Sequence, residues 1–176
     1  DVYNSIGKCI THSLCEGSDH IIISPEFPNN IIIKHANSFE SYSIDGKRII
    51  TTDEIATLGT FIKSGLAVAQ SKSGRLGIIN TLLEIQIPFE YEKFFKTDIS
   101  DFIICGLKDN KRCYIFMNNG HARVIQYKYI ANGEYDFMLV TNDNINWGII
   151  NADGSLITEC VYHKNNIKFI NKETII

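Results

Sequence analysis

Long hydrophobic runs and basic clusters are both missing from this chain. No apolar stretch approaches the roughly 20 residues that an α-helix needs to cross a membrane. No run of lysine or arginine provides the basic stripe that is typical of a nucleic-acid-binding surface, and the net charge is −3. The sequence therefore predicts neither a membrane-spanning helix nor a nucleic-acid partner.

A recognisable cysteine framework is also missing. The five cysteines are odd in number and irregular in spacing, and no C-x-x-C is present. Disulfide-rich domains and zinc sites instead use paired or regularly spaced cysteines. We interpret these residues as reduced core cysteines, which favours a cytoplasmic protein. The sequence begins at Asp1 rather than Met, so its N-terminus does not indicate a compartment. The cysteines are Cys9, Cys15, Cys105, Cys113 and Cys160.

Short runs of β-branched and aromatic residues are what the chain does contain. Its 176 residues, 44% hydrophobic and 21% charged, fit a single folded domain, which we predict over residues 1–176. Prolines number only three, and no window of about a dozen residues keeps the spacing of an amphipathic helix. Apolar runs separated by turn residues instead predict an all-β fold.

A segment around the single tryptophan, Trp147, recurs along the chain. In three upstream copies its position is taken by Cys113, Leu76 and Ser41, at successive intervals of 34, 37 and 35 residues. The apolar runs that precede the copies begin 35, 36 and 35 residues apart. Two features with one period predict a repeat of about 35 residues. The copies are NWGIINADGSLITECVY (146–162), RCYIFMNNGHARVIQYKY (112–129), RLGIINTLLEIQIPFEY (75–91) and ESYSIDGKRIITTDEI (40–55).

Each repeat is predicted to form three short antiparallel strands. Strand A is the apolar run, strand B contains the Trp147 position, and strand C follows a second turn. These second turns carry Asp-Gly or Asn-Gly at residues 45–46, 119–120 and 153–154, which suits two-residue hairpins. Residues 80–84 (NTLLE) lack a glycine, so we expect a longer or less regular turn there. Irregular loops are predicted between repeats, at residues 51–65, 92–101 and 130–136.

The two ends of the chain, residues 1–27 and 167–176, are predicted to complete one split unit. Residues 8–12 and 20–27 resemble strands B and C without a strand A, and residues 167–170 resemble a strand A alone. With these ends the chain contains about five units. Rings of β-units commonly close when the last segment pairs beside the first. A propeller-like closed ring is therefore the favoured arrangement, and an open β-solenoid is the alternative.

The repeat resembles the WG repeat of bacterial proteins, most closely over residues 64–94 and clearly over residues 64–162. The last copy supplies the Trp-Gly pair itself at Trp147 and Gly148. This resemblance implies an all-β repeat scaffold, and the family has no common reaction or ligand to carry over. The matching residues of the best copy are Gly65, Leu66, Ala67, Val68, Gly77, Ile87, Pro88 and Tyr91.

No pattern of residues predicts a catalytic, cofactor or metal site. The histidines lack H-x-x-x-H or H-E-x-x-H spacing, and G-x-S-x-G, P-loop and G-x-G-x-x-G motifs are absent. Acidic residues lie mostly in turns, so a glycoside-processing carboxylate pair is the least favoured function. We therefore predict a protein that is not an enzyme and needs no cofactor. The histidines are His12, His20, His35, His121 and His163.

Two cysteines in one predicted hairpin are expected to face opposite sides of the sheet. If residues 109–110 form a two-residue turn, Cys113 pairs with Gly106 and Cys105 pairs with Tyr114. Neighbouring residues of a strand alternate between faces. This register disfavours a disulfide, although a slip of one residue would permit one.

Aromatic residues near the ends of the C strands are the main functional candidates. They either pack between repeats or form an exposed rim suited to protein or glycan contact. Because the loops of repeat scaffolds commonly bind ligands, we predict a scaffold that binds a protein partner, with a carbohydrate-binding module as the alternative. Trp147 is instead predicted to pack in the core, since other copies replace it. The candidate contact residues are Phe94, Phe95, Tyr91, Tyr129 and Tyr135.

Overall fold

Antiparallel β-sheet is the dominant structure of the described residues. The computed structural model describes residues 2–3, 9–11, 20–24, 27–99, 102–134, 137–151, 154–171 and 174–175. Within these residues one 3-10 turn, Lys164–Asn166, is present and there is no α-helix. The same part of the chain has no helix long and apolar enough to cross a membrane. The predicted all-β fold class is confirmed.

Four sheets of four strands form the body of the chain, and in each the strands pair in chain order. The N-terminal strands β1 (Val2–Tyr3) and β2 (Cys9–Thr11) pair with each other. The first sheet contains β3 (His20–Ser24), β4 (Phe27–Lys34), β5 (Phe39–Ser43) and β6 (Arg48–Thr52). The second contains β7 (Ile55–Leu58), β8 (Leu66–Ser71), β9 (Leu76–Asn80) and β10 (Ile85–Tyr91).

The remaining strands follow the same order. The third sheet contains β11 (Lys93–Lys96), β12 (Ile103–Lys108), β13 (Lys111–Asn118) and β14 (His121–Ile125). The fourth contains β15 (Tyr129–Asn132), β16 (Met138–Thr141), β17 (Asn146–Ile150) and β18 (Leu156–His163). The C-terminal strands β19 (Phe169–Asn171) and β20 (Thr174–Ile175) pair with each other.

The prediction of three strands per repeat, separated by irregular loops, is wrong. The segments predicted as loops contain β7, β11 and all but the first residue of β15, and each of these strands is the outer strand of a four-stranded sheet. Each has only four residues, with burial that does not alternate regularly. Such a short and largely exposed strand leaves little period-two pattern in the sequence.

The chain ends also differ from the prediction. Residues 20–24 form β3, which pairs with β4 inside the first sheet, instead of ending a separate unit. β19 pairs locally with β20. The predicted pairing of the last segment beside the first is not among the described ladders.

Three-residue hairpin loops recur where the sequence predicted two-residue turns. At residues 43–47 the N–H of Ser43 donates to the carbonyl of Lys47, and the N–H of Gly46 donates to the carbonyl of Ser43. Gly46 has φ +84, the left-handed conformation that glycine adopts at little cost. Two-residue turns do occur in the third sheet, at residues 109–110 and 119–120, where φ is positive throughout.

The turn at residues 80–84 is regular, contrary to expectation. The N–H of Asn80 donates to the carbonyl of Glu84, and the N–H of Leu83 donates to the carbonyl of Asn80, as in the glycine-containing loops. Leu83 takes the left-handed position with φ +65 and is 3% exposed. Burial of its side chain offsets the backbone strain, which is about 1–2 kcal/mol for such a residue.

The glycine that follows the tryptophan position lies against a neighbouring strand. A Cβ on Gly148 would come within 2.6 Å of the Thr158 carbonyl oxygen, and one on Gly77 within 2.7 Å of the Ile87 carbonyl oxygen. The ladder between β17 and β18 shifts register beside Gly148. The irregular pairing brings the backbone of the neighbouring strand so close to this position that only glycine, which has no Cβ, fits.

The chain divides into two compact units, each with its own core. The first comprises residues 1–91 with 119–122, and the second comprises residues 92–118 with 123–176. The core of the first unit contains Ile32, Phe39, Ile55, Phe61, Ala67, Ala69, Ile79 and Leu83. The main core of the second unit contains Ile103, Phe116, Ile125, Ile130, Met138, Val140 and Ile150.

Trp147 packs in a second cluster of the same unit, so its predicted core role is confirmed. It is 5% exposed and packs with Leu139 and Ile149 of its own sheet. Ile167 and Phe169, which follow β18, are also packed against this cluster. The same pair of loop hydrogen bonds occurs at residues 43–47, 80–84 and 151–155. Leu76 lies four residues before the start of the second of these loops, and Trp147 lies four residues before the start of the third.

Counted from the same loop, Phe39 rather than Ser41 occupies the tryptophan position in the first sheet. The sequence alignment of this copy is therefore displaced by two residues. Phe39 is 2% exposed, so a large buried hydrophobic residue occupies the position in both the first and the fourth sheet. This observation strengthens the packing interpretation of Trp147.

Candidate functional site

Of the four predicted contact residues that the structure describes, one is buried and three lie on two separate strands. Tyr91 is 3% exposed, so it is buried and is not part of a contact surface. Phe94 and Phe95 are neighbours on β11, where Phe94 is half-buried and Phe95 is exposed. Tyr129 begins β15 and is 40% exposed. Tyr135 lies outside the described residues.

Tyr129 lines an open groove in the second unit, which we call the basic–aromatic groove. The groove has a volume of about 560 Å³ and is lined by Lys111, Arg112, Tyr114, Lys128 and Tyr129. The two-residue turn at residues 109–110 places Lys111 and Arg112 at the start of β13. Three cationic side chains and two tyrosines therefore surround one depression.

Strand register extends this surface across the third sheet. Lys93 pairs with Leu107, which pairs with Arg112, so these three residues form one row across β11, β12 and β13. Phe95 and Tyr114 belong to the next row on the same face, two residues along their strands, and share a partner on β12. An exposed phenylalanine and a further lysine thus lie on the face that carries Arg112 and Tyr114.

The cations of the groove are not neutralised by carboxylates. Within the part of the chain that the structure describes, no ion pair involves Lys93, Lys111, Arg112 or Lys128. The Lys128 ammonium lies 5.3 Å from the ring centroid of Tyr129, within the range of a cation–π contact. The groove therefore presents net positive charge beside aromatic rings.

Cys105 lies in the row of Phe95 and Tyr114, and the predicted hairpin register is confirmed. Cys105 pairs with Tyr114 and Cys113 pairs with Gly106, so the two sulfurs are directed to opposite faces. Both cysteines are free thiols. Burial raises the pKa of the Cys105 thiol, which disfavours the nucleophilic thiolate form.

Glu40 accepts hydrogen bonds from several side chains. Its oxygens accept hydrogen bonds from the Tyr42 hydroxyl at 2.5 Å and the Thr51 hydroxyl at 3.1 Å, with Arg48 at 3.4 Å and His35 at 3.3 Å. Burial alone would raise the pKa of Glu40, but the hydrogen bonds from Tyr42, Thr51 and His35 hold it below its ordinary value. Glu40 is therefore an ionised structural group rather than a proton donor.

Asp143 organises the loop that precedes Trp147. Its Oδ1 accepts hydrogen bonds from the backbone N–H groups of Ile145 and Asn146, each at 2.8 Å, and its Oδ2 accepts one from the Asn146 side chain at 2.9 Å. The two backbone hydrogen bonds are the main cause that lowers the pKa of Asp143 far below its ordinary value. The predicted role of turn acids in turn geometry holds for this residue.

Metal-binding clusters are not found among the described residues. No group of three or more histidine, cysteine, aspartate or glutamate side chains lies close enough to hold a metal ion there. His35 lies beside Glu40, and His121 begins β14.

Sequence reasoning found only Tyr129 among the residues that line the groove. Lys111 and Arg112 are 16 or 17 positions away from Lys128 in the sequence, so they form no run of basic residues. The available signals were the lysines around the 109–110 turn and the Tyr-Lys-Tyr sequence at residues 127–129. Only the pairing of strands brings these segments to one groove.

Comparisons with known proteins do not assign a function. No protein-family model and no curated protein matches the chain. Two structures of Hsv2 from Kluyveromyces lactis are similar in part, each with 12% sequence identity. One covers 78% of this chain with a TM-score of 0.28, and the other covers 80% with a TM-score of 0.26. This chain spans 49% and 63% of the length of those two chains.

Proposed function

We propose that this protein is a non-enzymatic β-repeat scaffold, of the WG-repeat kind, that binds another protein. The observation that carries the proposal is the basic–aromatic groove together with the exposed Phe95 on the sheet face that carries Arg112 and Tyr114. Arginine and tyrosine are enriched at protein interfaces, because they combine apolar area with directed polar groups. Polar and aromatic side chains gathered at one depression are typical of a recognition site.

For the arrangement of the scaffold, we propose a propeller-like closed ring, with an open β-solenoid as the alternative. Its support is that the sheets share one strand order and recur with a period of about 35 residues in the sequence. Small-angle X-ray scattering would test this proposal. A ring gives a smaller maximum dimension than a solenoid of the same number of units, so an elongated profile would contradict it.

The binding proposal can be tested by affinity purification with mass spectrometry. Tyr129→Ser removes exposed aromatic surface from the groove, and Phe95→Ser removes it from the sheet face that carries Arg112. Each variant should abolish recovery of the partner that the wild-type protein retains. Tyr162→Ser is the matched control, because Tyr162 is 46% exposed, compared with 40% for Tyr129, and lies on the opposite outer strand of the same sheet. Partner recovery that survives both groove variants, or that is lost equally with Tyr162→Ser, would contradict the proposal.

A carbohydrate-binding module is the second candidate. The observation that favours it is that Tyr114 and Tyr129 line one groove, since aromatic rings can pack against sugars. A glycan array would separate the two candidates. Binding to a defined glycan that is lost with Tyr129→Ser and kept with Tyr162→Ser would favour the carbohydrate, and an array without signal would eliminate it.

A further inference from the structure

We infer that the ligand of the basic–aromatic groove is an acidic peptide segment, one that carries several glutamate or aspartate side chains. This inference rests on the proposed protein-binding function and names the chemistry of the partner. The groove concentrates Lys111, Arg112 and Lys128 in a chain whose net charge is −3. Cations that form no ion pair with a described carboxylate, and that are held together against this overall charge, attract an anionic ligand.

The surface is suited to an extended chain. Lys93 and Arg112 lie in one row on strands that are separated by β12, so their Cα atoms are about 10 Å apart, at about 4.8 Å for each strand spacing. Side chains on one face of an extended peptide recur at about 7 Å. Flexible lysine and arginine side chains can therefore reach successive carboxylates of such a peptide.

Aromatic groups give the groove a second kind of contact. Phe95 is 45% exposed on the same face as Lys93 and Arg112, and Tyr129 is exposed beside Lys128. These rings can bury apolar or aromatic side chains that accompany the carboxylates. The structure thus favours a peptide of mixed acidic and aromatic character over a simple inorganic anion.

Charge distribution favours a peptide over a nucleic acid. The chain carries 20 acidic and 17 basic residues, so positive charge is a local feature of the groove. A nucleic acid has a phosphate at every nucleotide, and its binding needs an extended basic surface. A short acidic segment confines its negative charge to the size of the groove.

Fluorescence anisotropy with a labelled peptide of six glutamates around one tyrosine tests the inference on the full chain. A peptide with every glutamate replaced by glutamine is the ligand control and should bind at least about tenfold more weakly. Raising the salt concentration from about 50 mM to about 500 mM should weaken binding of the acidic peptide, because salt screens exposed charges.

A charge-neutralised variant tests the site. Lys111→Gln, Arg112→Gln and Lys128→Gln in one chain should weaken binding by about threefold or more, since each exposed ion pair contributes about a 1.4- to fivefold effect. The matched control is Lys47→Gln, Lys63→Gln and Lys72→Gln, which removes the same charge from exposed positions of the first unit. This control should bind the peptide as the wild type does.

Four results would overturn the inference. The first is equal binding of the glutamine peptide, and the second is equal weakening by the control triple variant. The third is tighter binding of single-stranded decathymidylate that the groove variant abolishes, which would identify a nucleic-acid site. If the groove triple variant keeps its protein partner while Phe95→Ser and Tyr129→Ser lose it, the acidic-peptide inference fails and the proposed function stands.

Discussion

Replacing Trp147 with alanine is expected to lower the free energy of unfolding by about 3–5 kcal/mol. The indole is 5% exposed and packs with Leu139, Ile149 and Phe169. Burial of about 150–250 Å² at about 25 cal/mol per Å² corresponds to about 4–6 kcal/mol. The alanine side chain still buries a small part of this area, and the unfolded chain already buries some of it, so the expected loss is smaller than the full burial energy. The Lys164 ammonium, 4.7 Å from the ring centroid, adds about 0.5–1 kcal/mol.

Urea denaturation followed by far-UV circular dichroism measures this loss. Trp147 is the only tryptophan, so its fluorescence gives a second probe in the wild type and not in the alanine variant. At roughly 2–4 °C for each kcal/mol in a chain of this size, the melting temperature should fall by about 6–20 °C. Trp147→Phe, which keeps an aromatic ring, is the control and should lose less than half as much.

A loss below about 1 kcal/mol for Trp147→Ala, with an unchanged dependence on urea, would refute the packing argument. The wild-type emission spectrum gives an independent check, because a buried indole emits at shorter wavelength than free tryptophan. Emission at the position of free tryptophan would show that the indole is exposed, and would favour a ligand-stacking role.

Three further predictions concern the backbone and one carboxylate. Gly148→Ala should lower stability by about 1–3 kcal/mol, because the added Cβ meets backbone atoms of β18; an unchanged urea midpoint would contradict this. Leu83→Gly should lower the free energy of unfolding by about 1–3 kcal/mol, because the loss of a buried leucine side chain outweighs the relief of backbone strain at φ +65. A stabilised variant would contradict this prediction. Glu40 has a lowered pKa, so its stabilising contribution is present above the unfolded value of about 4.3 and is lost on further acidification. Between about pH 5 and pH 3, melting temperatures should fall more for the wild type than for Glu40→Gln, and parallel curves would refute this.

The β-class of the fold and several hairpins could be predicted from sequence because the signals are local. The predicted register of Cys105 and Cys113 is correct, because residues 109–110 form a two-residue hairpin turn with positive φ at both positions. The burial of Trp147 was also predicted. The alternation of apolar and polar residues and the residue preferences of turns both act over a few residues, so they can be recognised in a single sequence.

The outer strands and the loop geometries could not be predicted in the same way. β7, β11 and β15 each have four residues and become strands because a neighbouring edge provides hydrogen-bond partners. Leu83 adopts a glycine conformation because the core of the first unit buries its side chain. In both cases the deciding interaction comes from residues that are distant in sequence.

The candidate site shows the same division. The sequence alone indicates that Tyr129 and Phe95 lie near strand ends, and that the basic residues are too few and too scattered to form a run. Tertiary structure decided that Tyr91 is buried and that Lys111, Arg112 and Lys128 line one groove. Charge acts through space, and strand pairing sets which charges are neighbours, so the positive character of the groove arises only in the folded chain.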